Sequence, residues 1–343
     1  MAHDDDISHA NASELTPKLA TAFWSAKGKG YLQTETLTPL KDQEALVVTH
    51  FTGLSKGTES LVFDGRVPDS EHQRMRAPFQ QGEFGGEVKY GYCNVGVVEQ
   101  GPPDWVGQAV FCLYPHQDRY VVTTDALRRL PDGLPLGRAV LAANMETAVN
   151  GIADAGLDPA VTTTGPQTVT IIGAGVVGAL MAHLAQGHGH LVEVVDIDPL
   201  KQPILEELGL SMVLPKDASA ERSVVIHTSA SEAGLRLALG LAGMEGLIVE
   251  MSWFGTTQPS LPLGEAFHAK RLTLRSSQVG QIAPSRRDTW NHASRFDYAL
   301  EQLKDPRLDA LITHESGFAE LPQVMATLPQ SMGVMCHRIR YPK

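Results

Sequence analysis

The sequence predicts an α/β protein in which a doubly wound parallel sheet is joined to a smaller, partly open β-barrel. Three observations predict it. The apolar, β-branched run Val169-Thr170-Ile171-Ile172 leads into Gly173-Ala174-Gly175-Val176-Val177-Gly178, and an apolar stripe at helical spacing (Val176, Val177, Leu180, Met181, Leu184) follows. Strand-like and helix-like segments keep alternating downstream. Upstream, short strand-like runs separated by glycine turns crowd the N-terminal half.

Composition bounds the rest. The 343 residues are enough for two domains with separate cores, and 43% hydrophobic with 20% charged residues describes a soluble globular chain. A formal net charge of −11 argues against nucleic acid or an anionic membrane as partner. Met1 to Ala20 is polar, carries Asp4-Asp5-Asp6, and reads as a disordered tail rather than a signal peptide. Cys93, Cys112 and Cys336 are odd in number and far apart, which points to a reduced, cytoplasmic setting without a zinc-ribbon spacing. The histidines are scattered, so a metal site would have to be assembled across the fold.

In chain order, Ala22 to Leu37 and Ala45 to Phe51 read as strands with Lys41-Asp42-Gln43 between them. Gly53 to Glu59 begins a short helix or turn. Asp64 to Gly86 is rich in Gly, Pro, Arg and Gln and reads as a functional loop. Val88 to Glu99, Gly107 to Tyr114 and Arg119 to Thr123 are further strands, and Ala139 to Ala155 is a helix. Thr162 to Pro166 is the turn into the parallel sheet. Its later strands are Val224 to His227, Gly246 to Met251 and Arg271 to Ser276, with a helix at Ser231 to Leu241 and another element at Leu261 to His268. A helix at Arg295 to Leu303 and short strands complete the tail, which returns to the first domain.

The glycine motif carries the clearest chemistry. Gly173 permits a tight turn, Gly175 admits a pyrophosphate to the backbone, and Gly178 lets helix and strand pack closely. The N–H groups of Val176 and Val177 open the helix, whose N-terminus favours phosphate. Asp196 lies roughly 20 residues on, where a carboxylate accepts the ribose hydroxyls and repels a 2′-phosphate. NAD is therefore the expected cofactor, with NADP as the alternative given Lys201 and Arg222. His227, Ser277 and Gln278 should edge the same crevice from the carboxyl ends of later strands.

The strand-rich half, central dinucleotide unit and returning tail together resemble the medium-chain dehydrogenase/reductase superfamily, from about Ala20 onward. Ser55-Lys56-Gly57-Thr58-Glu59, Gly91 to Glu99, the glycine motif and Ser276-Ser277-Gln278-Val279-Gly280 carry the resemblance. The Gly57-Thr58-Glu59 region is most similar to the branch of bacteriochlorophyllide dehydrogenase-like proteins. The resemblance implies a GroES-like catalytic domain (21–146 and 279–343) after the tail (1–20), a Rossmann domain (147–278), and a homodimer. It also implies where zinc ligands would fall. The cysteine slot is Lys56, the G-H-E segment reads Gly91-Tyr92-Cys93, the third slot falls at Ala143 and Asn144, and the structural-zinc lobe is missing. No zinc is expected.

Without a metal, hydrogen bonds and positive charge must stabilise the developing alkoxide. By the resemblance, Lys56 would supply charge, Tyr92 a proton, and Thr58 a relay to the nicotinamide ribose. Glu59 would pair with Lys56 or cap a helix start. His116 is an acid–base candidate or a backbone-bonded loop histidine, and Glu146 a base or a helix charge. Arg66, Arg74, Arg76, Arg286 and Arg287 make an acidic small-molecule substrate one candidate, and Phe79, Phe84, Trp253 and Phe254 are candidates for an apolar wall. The expected activity is zinc-independent transfer of hydride to or from an alcohol or carbonyl. Reduction of an activated C=C bond and a catalytically inactive dinucleotide-binding protein are the alternatives.

Overall fold

The computed structural model describes residues 18–160 and 165–342. The expected tail before Lys18 and the turn residues Thr162 to Thr164 lie outside that range. The N-terminal half contains β1 (Leu19–Ala26), β2 (Lys29–Thr36), β3 (Glu44–Leu54), α1 (Thr58–Phe63), β4 (Gln81–Gly82), β5 (Val88–Lys89), β6 (Asn94–Gln100), β7 (Ala109–Cys112), β8 (Arg119–Thr123) and β9 (Arg128–Arg129). Helices α2 (Leu136–Ala139) and α3 (Ala142–Asp154) lead out of it.

The expected strand from Ala22 to Leu37 is two strands. Lys27 (φ 45°) and Gly28 (φ 80°) form a tight two-residue connection, so β1 and β2 pair antiparallel from Leu19 opposite Thr36 to Ala26 opposite Lys29. β1 also starts inside the stretch assigned to the tail. The expected strand from Val88 to Glu99 breaks at Tyr90 to Cys93, where Gly91 takes φ 135°. β3 is the hub of this half, pairing with both β6 and β8. The two sheets meet through backbone bonds from Phe23 to the His116 carbonyl and from Asp118 to that of Thr21.

The dinucleotide-type half runs β10 (Thr168–Ile172), α4 (Val176–Gly187), β11 (Leu191–Val195), α5 (Gln202–Glu207), β12 (Met212–Val213), β13 (Arg222–His227), α6 (Glu232–Leu241), β14 (Ala242–Glu250) and β15 (Thr273–Ser276). All five pairings are parallel, in the spatial order β12-β11-β10-β13-β14-β15. The order reverses between β10 and β13, the switch point where such sheets open a crevice. Ser231 caps α6 by accepting from the Gly234 N–H, while Leu261 to His268 is a single irregular turn kinked at Glu265.

The tail adds α7 (His292–Gln302), β16 (Ile312–Gly317), α8 (Leu321–Thr327) and β17 (Cys336–Arg340). β17 pairs antiparallel with β3, returning the chain to the first sheet. A single apolar core runs through the junction: α3 packs against α4 and α7, and Met145, Val149, Ile152, Leu180, Met181 and Phe296 are buried together. Each such side chain contributes about 1.5–3 kcal/mol on burial. Among the described residues, no helix is long and apolar enough to cross a membrane.

The contact that sets α4 on β10 leaves no room for a methyl group, since a Cβ at Gly178 would lie 2.0 Å from the Gly173 carbonyl oxygen. Gly178→Ala should therefore cost about 1–3 kcal/mol of stability by forcing helix and strand apart, read as a fall in Tm.

Candidate active site

Two corners of the junction collect the polar side chains. The first is built on the glycine turn. Gly173 has φ 109°, and a Cβ there would strike Thr228 Oγ1 and the Ser229 backbone, whereas a Cβ at Gly175 would meet nothing within 4 Å. The turn is closed on its sheet side and open outward. Thr228, at the end of β13, donates to the Gly173 carbonyl at 2.7 Å and braces the turn across the switch point. Gly175 ends in extended backbone and no side chain caps α4, so the first-turn N–H groups of Val176 and Val177 are left for an anion. These residues fit a dinucleotide pyrophosphate.

Asp196 follows β11 as expected. Its carboxylate accepts from Ala174 N (2.6 Å), Asp198 N (2.8 Å) and Lys201 Nζ (2.9 Å), which places it against the glycine turn. Ile197 beside it is 79% exposed and offers an apolar surface at the crevice edge. Asp198 caps Leu200 and also accepts from Gly333 N at 2.7 Å, tying the tail to this corner.

Lys56 belongs to this corner. Its ammonium donates to the Ser331 carbonyl at 2.5 Å, and partial burial and the Lys201 charge lower its pKa, against the pull of Asp198 and Asp196. The expected Lys56–Glu59 pair does not form, because the lysine turns toward the tail and Asp198 while Glu59 turns inward.

The second corner surrounds Glu59. Thr58 opens α1 half-buried, and Glu59 behind it is 3% exposed. Its carboxylate accepts from Ser55 N at 2.5 Å and meets His116 Nε2 at 2.6 Å. The bond to Ser55 holds the segment before α1, so of the two expected roles the one at the helix start is closer. His116 is 1% exposed, and its Nδ1 lies 2.8 Å from Thr52 Oγ1. Its side chain is therefore bonded to side chains, not backbone. Gly91 makes the space, since a Cβ there would fall 2.8 Å from His116 Cδ2. Tyr92 packs edge-on against Tyr90. Burial pushes the Tyr92 phenol well above its ordinary pKa, with the charge of Glu59 adding and a hydrogen bond with Ser55 opposing. Tyr92 thus stays protonated across the working pH range and acts as a hydroxyl.

The positions where the resemblance places zinc ligands do not fit that metal. Lys56 is a cation already bonded to backbone, Ala143 carries no donor, and Tyr92 is a neutral phenol. Burial raises the pKa of the nearby Cys93 and Cys336 thiols, Cys336 up to about 12.

Several expected crevice residues are engaged elsewhere. His227 does not edge the crevice. It is fully buried, with Nδ1 2.6 Å from Glu250 and Nε2 2.7 Å from Ser229 Oγ, because strand alternation turns Thr228 toward the turn and His227 away. Ser277 donates to Asp154 Oδ2 at 2.7 Å, and Gln278 packs over Gly280. Glu146 is bound by the buried Arg295 at 3.0 Å, which also holds Asn150 and the Val279 carbonyl, so it is a structural anchor and not a base. Burial still raises its pKa despite the arginine.

Arg66, Arg74, Arg76 and Arg286 are paired with Asp64, Glu71, Glu83 and Asp158, and Arg287 donates to the Ile282 carbonyl. The loop from Asp64 to Gly86 packs through Val67, Met75 and Phe84 against Tyr90, Tyr92 and Trp253. Thr256 N donates to the Arg66 carbonyl and so joins this loop to the segment after β14. Phe79 stands 40% exposed over Tyr114, while Phe254 packs near His227. Thr228, Asp198, Glu250 and Arg295 were missed from the sequence. Thr228 had a signal, the strand period that made its neighbour a wrong choice; Asp198 and Glu250 have local bonds to Leu200 and Ser252, but their ties to Gly333 and His227, like those of Arg295 to Glu146 and Asn150, come through distant segments.

Lys56 stands beside Asp196 and Lys201, so Lys56→Ala should raise the Kd for NADH about 10-fold through loss of one charge-assisted contact, measured by NADH fluorescence titration.

Known proteins share this architecture. No family model matches the sequence. The 2-dehydro-3-deoxy-L-galactonate 5-dehydrogenase of Pseudoalteromonas atlantica is 24% identical over 232 residues, 63% of this chain, and the match spans only 62% of that relative's length. L-idonate 5-dehydrogenase from Escherichia coli superposes with a TM-score of 0.76 at 15% identity, covering 95% of this chain and 99% of that one. A zinc-binding dehydrogenase from Sinorhizobium meliloti bound to NADP superposes at 0.74 with 16% identity, covering 94% and 99%. With its barrel, its six-stranded parallel sheet and its returning tail, the chain has the fold of the medium-chain dehydrogenase/reductases.

Proposed function

We propose that this protein is an NAD(P)-dependent oxidoreductase that moves hydride to or from an alcohol or carbonyl carbon without zinc. The observation that carries the reading is the braced, outward-open glycine turn with Asp196 against it, a cradle shaped for a dinucleotide. The curated relative and the two solved structures, by their names dehydrogenases, support the reaction class.

The bound nicotinamide supplies the hydride acceptor or donor. The chain supplies the rest. Gly175, Val176 and Val177 offer N–H groups to the pyrophosphate, Lys56 and Lys201 add positive charge, and Asp196 takes the ribose and favours NAD over NADP. Tyr92 donates a hydrogen bond to the reacting oxygen, and Glu59, oriented by His116 and Ser55, accepts the proton of an alcohol. Four of the five arginines offered for an acidic substrate are already paired with carboxylates, which favours a neutral one. The edge strand β15 exposes all four residues from Thr273 to Ser276, and we assign it to pairing with a second copy in a homodimer.

Fluorescence titration with NADH and NADPH on a sample assayed for metal tests the cofactor reading. Tight NADH binding without stoichiometric zinc is expected; bound zinc, or failure to bind either nucleotide, overturns it. On any alcohol turned over, Glu59→Gln should lower kcat by about 10²–10⁴-fold with NADH affinity unchanged; unaltered turnover removes Glu59 from the chemistry.

A further inference from the structure

Three side chains at the carboxyl ends of β13 and β14 stand in a row that hydride transfer leaves unused. Ser229 Oγ lies 2.7 Å from His227 Nε2, and His227 Nδ1 lies 2.6 Å from Glu250 Oε2. The backbone lays out this row. His227 and Ser229 are two residues apart at the end of β13 and share a side, while His227 and Glu250 are direct neighbours across the parallel pair. Gly234 on α6 makes the room, since a Cβ there would fall 2.4 Å from Ser229 Oγ and 2.7 Å from His227 Nε2. The hydrogens follow from the partners. A carboxylate only accepts: Glu250 Oε1 takes the Ser252 N–H at 2.7 Å and Oε2 faces Nδ1, so Nδ1 carries the ring proton. Nε2 is then a bare acceptor for the Ser229 hydroxyl. Ser231 Oγ accepts from Gly234 N at 3.0 Å and lies 2.8 Å from Ser229 Oγ, to which it can donate. Every hydrogen in the row thus points toward Glu250. The imidazole is fully buried while Ser229 is exposed, so the base is shielded and the hydroxyl is open.

We infer that Ser229, His227 and Glu250 form a nucleophilic centre that hydrolyses esters of small acyl groups, an activity separate from hydride transfer and independent of it. Ser229 Oγ attacks the ester carbonyl carbon, forming the Oγ–C bond, and its proton passes to His227 Nε2. The imidazolium, held by Glu250, gives that proton to the leaving alkoxide as the C–O bond breaks. Water then attacks the acyl carbon and yields a proton to Nε2, and that proton returns to Ser229 Oγ as the acid departs. Ester and water are consumed, acid and alcohol are released, and the three side chains end as they began. Ser231 caps α6, so Ser229 stands one hydrogen bond from the positive end of that helix, which favours the tetrahedral oxyanion. Phe254, its ring centroid 6.1 Å from that of His227, gives the centre an apolar flank suited to a short acyl chain.

The test is fluorophosphonate labelling of the full-length protein without nucleotide, the adduct placed by tandem mass spectrometry, beside release of p-nitrophenolate from p-nitrophenyl acetate. Ser229 should label at least about 100-fold faster in the folded protein than after unfolding in urea, where the serines are equally open. Ser229→Ala should lose the adduct and slow p-nitrophenolate release at least about 10-fold. Glu250→Gln can keep the Ser252 bond while offering an N–H to Nδ1, which moves the ring proton to Nε2 and removes the acceptor, so labelling should slow about 100-fold. If the three groups only fasten β13 to β14 and α6, Ser229 labels no faster folded than unfolded. That result overturns the proposal, as does labelling of Glu250→Gln at the wild-type rate or ester hydrolysis that survives in Ser229→Ala. The comparison of folded with unfolded protein decides even where Glu250→Gln fails to fold. No step uses NADH, so failure here is separate from failure of the NADH titration.

Discussion

Everything at the crevice depends on how closely α4 seats on the end of β10. Gly178 sits on the Gly173 carbonyl with no space for a side chain between them. That contact lays the start of α4 against the switch point, where Thr228 reaches across from β13 and fixes the turn. The N–H groups of the first turn are then presented outward with nothing to satisfy them from within. A phosphate is the natural complement of such a terminus, because the orphan donors and the helix dipole act in the same direction. Asp196 lies against the same turn, so in the proposed reading phosphate and ribose would be met by one geometric unit.

The corner around Glu59 obeys a different constraint, that of burial. Glu59 and His116 are removed from water, and ions removed from water persist only with partners that answer every lone pair and proton. Each ring nitrogen of His116 has one, and both carboxylate oxygens of Glu59 have one. Gly91 is the cost of admitting the imidazole. The arrangement keeps the Glu59 carboxylate near a phenol that burial holds protonated, an acceptor and a donor in one dry place.

The junction between the halves is held by ions that look catalytic in the sequence and are structural in the fold. Arg295 gathers Glu146, Asn150 and the Val279 carbonyl, so α3, α7 and the segment after β15 move as one body. Asp154 does the same for Ser277 and Arg275. Asp198 and Lys56 fasten the tail at Gly333 and Ser331 to the ribose corner. A titratable residue near a cofactor motif is as often a fastening as a reagent, and only its partners tell which.

The sequence by itself determined the parallel sheet, its glycine turn and the place of Asp196, because these rest on local periods and on residues a few positions apart. By the resemblance it also placed Lys56, Tyr92 and Ala143 at the positions expected of zinc ligands. It misread the β1–β2 hairpin, where Lys27 and Gly28 turn the chain without the usual Asn-Gly signal. It assigned Lys56 to the hydride centre, His227 to the crevice and Glu146 to possible base chemistry. Tertiary structure decided each of these, since the deciding partners, Ser331, Glu250 and Arg295, lie from 23 to 275 residues away in the chain. Side-chain direction within a known element follows from backbone period; the partner a charge finds once buried follows from which distant segments pack against it, and that is fixed only when the chain closes on itself.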